Sequence, residues 1–109
     1  MKLSILLVCS FSLFLFSCTT SYYIVRHAEK AVAEPTMSTD VPLSDAGKQR
    51  AKKLKEIMMN KKIGYIFSTN TLRTKTTAEP SANYFGLKTE LYAKPDSAFI
   101  SKLKKIKKN

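Results

Sequence analysis

Two arginines and the only histidine of this 109-residue chain are the residues best suited to chemistry. His27 follows Arg26 at the end of an apolar run, Tyr22-Tyr23-Ile24-Val25-Arg26-His27-Ala28-Glu29-Lys30. A neutral imidazole is a nucleophile and proton carrier near pH 7, and a guanidinium beside it grips a phosphate oxyanion with paired hydrogen bonds. An Arg-His pair alone is common by chance. A second arginine in a comparable setting lifts it: Arg73, in Ser68-Thr69-Asn70-Thr71-Leu72-Arg73-Thr74-Lys75-Thr76-Thr77-Ala78, follows another short β-branched and aromatic run. Two guanidiniums around one imidazole would bind a dianionic group and stabilise the charge on its oxygens while the imidazole attacks phosphorus. The chemistry suggested is phosphoryl transfer.

The elements that must position these residues follow from the hydrophobic pattern. The run over 22–25 predicts a buried strand with Arg26 and His27 at its carboxyl end. Residues 31–42, with two prolines and several small polar residues, predict a loop over that end. Ser44 reads as an N-cap, with Leu43 before it as a hydrophobic staple and Asp45 at the positive end of a helix over 45–59. Ala51, Leu54, Ile57 and Met58 form its apolar stripe. A second strand is expected over 63–67. A helix follows over 71–85 with Leu72, Ala78, Ala82 and Phe85 inward, kinked or divided at Pro80 and ended by Gly86. Residues 88–92 suit a third strand, and Asp96 opens a last amphipathic stretch with Phe99, Leu103 and Ile106. Strands alternating with helices predict an α/β fold with parallel pairing, where ligands bind beyond the carboxyl ends of the strands.

Composition narrows the function classes. Residues 1–17 are apolar apart from Lys2 and small polar positions, which suits an export signal and is too short for a membrane-spanning helix. The signal ends in Leu15-Phe16-Ser17-Cys18, a pattern like a bacterial lipobox, so cleavage before Cys18 and its acylation are expected. Residues 18–21 then form a lipidated linker and 22–109 a single domain in the bacterial cell envelope, periplasmic or on the outer membrane. With Cys9 removed and Cys18 acylated, neither a disulfide nor a thiolate metal site remains, and one histidine makes a zinc cluster improbable. We therefore expect no metal and no cofactor. The net charge of +11 comes chiefly from lysines at 48–55 and 102–108. It reads first as a solvated face and second as affinity for an anionic membrane; without aromatic interleaving or clustered arginines, no nucleic-acid partner is expected.

The segments Ile24-Val25-Arg26-His27-Ala28-Glu29-Lys30, Pro42-Leu43-Ser44-Asp45-Ala46-Gly47-Lys48-Gln49-Arg50-Ala51 and Ser68 to Ala78, in that order, resemble the histidine phosphatase superfamily, also called phosphoglycerate mutase-like. The likeness covers about residues 22–92. It implies a three-layer α/β/α fold with a mainly parallel sheet, and a phosphomonoester hydrolase acting on a phosphorylated small molecule. By this resemblance His27 becomes phosphorylated, and Arg26 and Arg73 line the phosphate pocket. Members of the family carry a second histidine late in the chain, and none is present here, so a domain incomplete at its C-terminus is expected. Glu29, the carboxylate nearest His27 in sequence, is the candidate proton donor, with a loop ion pair as its alternative role. Ser68 and Thr69 either bond phosphate or hold the start of the next helix. The rival functional reading is a non-catalytic exported lipoprotein that keeps an anion-binding scaffold.

Overall fold

A computed structural model describes residues 18–31 and 40–106. The elements in chain order are α1 (Asp45–Met58), β1 (Ile66–Thr69), α2 (Leu72–Phe85), β2 (Thr89–Tyr92) and α3 (Ser97–Lys105). β1 and β2 pair in parallel, with Ile66 opposite Thr89 and Thr69 opposite Tyr92. Parallel pairing requires a crossover, and α2 supplies it, packing against both strands and against α1. This is a small α/β fold, as expected from the alternation of strand and helix patterns.

Side chains on a strand alternate between faces, so Phe67, Thr69, Glu90 and Tyr92 share one side of the sheet. α3 lies on that side. Phe99 stacks on Tyr92 at 4.1 Å between ring centroids and meets Phe67 edge-on at 5.5 Å. Lys102 pairs with Glu90 at 2.8 Å and sits 5.3 Å from the centre of the Phe67 ring. Asp96 caps α3 by accepting from the Phe99 N–H at 3.0 Å. The buried apolar residues, Ala28, Leu43, Ala51, Val41 and Ala82, are mostly small, and the first three form one cluster under the start of α1.

Several expectations are corrected, in whole or in part. Residues 22–25 form no strand; they are exposed, Ile24 at 98%. Their composition favours extended backbone, but a strand exists only where a neighbour supplies its hydrogen bonds, and the N-terminal segment makes its ladder later, at Lys30 opposite Leu43, with the Ala31 N–H donating to the Pro42 carbonyl at 2.9 Å. Of the two alternatives for Pro80, division does not occur: α2 runs through it as one helix. The carbonyl of Thr76, four residues back, loses its usual N–H donor, but Thr76 and Pro80 both border an open groove where water reaches. The inward face of α2 is in part the one expected: Ala82 is buried and Ala78 and Phe85 are half-buried, but Leu72 is 40% exposed, and Thr77 and Ser81 are buried in addition. Small side chains let a neighbouring element approach closely, a consideration that outweighs the hydrophobicity of Leu72. β1 begins three residues later than its expected position, taking in Ser68 and Thr69. Most of the expected loop, 32–39, and the export signal, 1–17, lie outside the described residues.

Candidate active site

Ser44 organises the approach to His27. Its side chain accepts from the Gly47 N–H at 3.0 Å, capping α1 as expected, while its own N–H donates to the Glu29 carbonyl at 2.9 Å. The first turn of α1 therefore lies directly on the backbone two residues beyond His27. Gly47 permits that contact, because a Cβ there would run into the Glu29 carbonyl oxygen. Glycine at this point is a packing requirement.

Thr77 joins the same segment to α2. Its hydroxyl accepts from the buried Ala28 N–H at 3.0 Å and donates to the Arg73 carbonyl at 2.7 Å, using both functions of one oxygen. Arg73 and Thr77 are four residues apart and share a helix face, so the bond to Ala28 brings the His27 segment to the side of α2 that carries Arg73. Arg73 is half-buried in the first turn of α2.

His27 is half-buried, and its Nδ1 lies 2.8 Å from the Ala28 carbonyl oxygen. A carbonyl only accepts, so Nδ1 carries the proton and Nε2 keeps the lone pair. The imidazole is thus held in the tautomer that leaves Nε2 available for nucleophilic attack. Arg26 is exposed and enters none of the hydrogen bonds of this cluster. Glu29 takes the second of its two expected roles: its Oε1 pairs with Arg50 Nη2 of α1 at 2.6 Å, so the carboxylate ties the segment to the helix. Ser68 and Thr69 serve the turn between β1 and α2. Ser68 donates to the Thr69 carbonyl at 2.9 Å, and Thr69 donates to Thr74 at 3.0 Å.

Sequence reasoning missed Thr77 as a positioning residue and Asp40 as a cap. Thr71 precedes α2 without a side-chain cap bond, and Asp40, distant in sequence, accepts from the Leu72 N–H at 2.6 Å instead. A cap that spans 32 positions leaves no local signature. Thr77 carried a weak one, since it falls one turn after Arg73.

The sequence profile of the histidine phosphatase superfamily (branch 1) matches residues 22–95, more than half of the chain and all of the elements around His27 and Arg73. The chain belongs to the histidine phosphatase superfamily. Among curated proteins none matches it. Membership in the histidine phosphatase superfamily agrees with the α/β fold and its parallel pair of strands. Cys18, the residue of the lipobox-like pattern, is exposed and free.

Proposed function

We propose that this chain is an exported, lipid-anchored phosphomonoester hydrolase that works through a phosphohistidine on His27. The observation that carries the reading is the fixed tautomer of His27 beside the Thr77 link to Arg73. Nε2 attacks phosphorus as the bond to the leaving oxygen breaks, and the guanidiniums of Arg73 and Arg26 hold the phosphoryl oxygens. The leaving alkoxide takes a proton from water at the open site. A second water then cleaves the N–P bond, releasing phosphate and restoring the neutral imidazole. The substrate class is a phosphorylated small molecule, and acylation of Cys18 would hold the domain at the membrane of the cell envelope.

Hydrolysis of p-nitrophenyl phosphate by the purified chain is the test. Turnover abolished in His27→Ala, and lowered about 100- to 1,000-fold in Arg73→Ala, supports the enzyme. One observation favours a second reading, a non-catalytic anion-binding scaffold: Glu29, the candidate proton donor, is engaged with Arg50. Absence of turnover, with phosphate binding that is lost in Arg73→Ala, selects that reading.

A further inference from the structure

A groove of about 920 Å³ runs between α1 and α2, apart from the residues that hold His27. Lys48, Lys52 and Lys55 line its α1 wall together with Asp45, and Glu79, Asn83 and Tyr84 belong to its α2 wall. The three lysines recur at intervals of four and three and therefore make one stripe along the helix. Their charges are answered unequally. Lys48 meets Asp45 at 3.2 Å, but neither Lys52 nor Lys55 forms an ion pair among the described residues. The other acidic residue of α1, Glu56, is drawn to Lys53 at 2.9 Å, and neither of them borders the groove. Glu79 is the one carboxylate on the opposite wall, and it pairs with none of the lysines.

Lys52 and Lys55, one turn apart and in no ion pair among the described residues, suit a single phosphate, and Glu56 acts on Lys55 only through its charge, without a direct pair. The surroundings suit the surface of a bilayer better than bulk water. Tyr84 on the opposite wall is 48% exposed, and Met59, four residues beyond Lys55, continues the lysine stripe with 40% of its surface exposed. Apolar bodies flanking lysines whose stems lie along the surface are the pattern of an interfacial helix, in which side chains reach the headgroups while apolar groups enter the acyl boundary.

We propose that α1 docks on an anionic phospholipid surface, with a headgroup phosphate held between Lys52 and Lys55 and Tyr84 and Met59 at the acyl boundary. Glu79 opposes this binding and limits its strength. The surface does not involve His27, so docking and phosphoryl transfer are separable.

Flotation of the full chain with vesicles of phosphatidylglycerol in phosphatidylcholine, compared with phosphatidylcholine alone, tests the proposal. The apolar leader contributes to both lipid mixtures, so the readout is the ratio of the two affinities. Lys52→Gln with Lys55→Gln lowers that ratio about fivefold for each lysine, whereas Lys104→Gln with Lys105→Gln, which removes the same charge from α3, leaves it unchanged. Glu79→Gln raises it, and His27→Ala has no effect. An equal fall in both double variants would show that bulk charge alone binds the membrane and would overturn the proposal. So would displacement by glycerol phosphate at matched ionic strength, which would assign the groove to a soluble anion. All four lysines are on the surface, and circular dichroism verifies that each variant stays folded.

Discussion

The Thr77 hydroxyl is the smallest group on which the geometry of the site depends. Thr77→Val keeps the shape of the side chain but leaves the buried Ala28 N–H without its acceptor. The loss is expected to cost about 1–3 kcal/mol of stability, read from urea unfolding, while Thr77→Ser retains both hydrogen bonds and most of the stability. If the His27 segment is positioned through this oxygen, phosphatase turnover falls in the valine variant and survives in the serine variant. Asp40 makes a comparable contribution at the start of α2. Asp40→Ala removes the acceptor for the Leu72 N–H and is expected to cost about 1 kcal/mol, whereas Asp40→Asn preserves the bond and gives up the interaction of its charge with the helix dipole, about 0.3–1 kcal/mol. A larger loss in Asn than in Ala would show that Asp40 acts through its charge elsewhere.

At the scale of elements, α1 and α2 differ in how plainly the chain announces them. α1 was legible because its signals are local: a serine cap, an acidic first turn and a stripe that includes Ala51, which is 2% exposed. The position of Arg73 on α2 was legible for the same reason, whereas His27, expected at the end of a strand, follows an exposed segment that forms none. The packing of residues 22–25 was not, because β-propensity records a preference for extended backbone and says nothing of which strand stands alongside. Ala82 on the inner face of α2 was legible, but Thr77 and Ser81 beside it were not, because they are polar and their burial depends on a neighbour's shape. Two substitutions probe these elements. Gly47→Ala gains helix propensity of about 1 kcal/mol, but its Cβ meets backbone at Glu29 that has no room to move, and overpacking costs about 1–3 kcal/mol. The variant is therefore expected to unfold at lower urea. Pro80→Ala goes the other way. It restores the N–H for the Thr76 carbonyl, a gain of up to about 3 kcal/mol, offset by up to about 1 kcal/mol of added freedom in the unfolded chain, so a higher urea midpoint is expected. The Lys53–Glu56 pair adds a minor acid sensitivity. The hydrogen bond from Lys53, and then its charge, hold the Glu56 carboxyl below its ordinary 4.5. Its contribution is complete above that value and is lost as the pH falls through the lowered one, a dependence that Lys53→Gln reduces.

For the molecule as a whole, the dominant fact is an excess of eleven positive charges on 109 residues. Two electrostatic effects of opposite sign compete. The ion pairs among the described residues, Lys48–Asp45, Arg50–Glu29, Lys53–Glu56 and Lys102–Glu90, all join groups that are at least 40% exposed, and exposed pairs contribute about 0.2–1 kcal/mol each before screening. Salt weakens them. The uncompensated lysines repel one another, and compaction brings them closer than they are in the unfolded chain, so salt relieves a strain that the folded state alone carries in full. The Debye length shortens from about 10 Å at 0.1 M to about 3 Å at 1 M, which removes repulsion across the whole surface while touching partners near 3 Å least. Repulsion between distant charges is therefore screened more completely than attraction between close ones. The urea midpoint is expected to rise as sodium chloride increases at pH 7, and Lys52→Gln with Lys55→Gln should reduce that rise because part of the repulsion is already gone. A midpoint that falls with salt would mean that the four pairs outweigh the excess charge, and that the lysines of α1 and α3 stand too far apart to oppose folding.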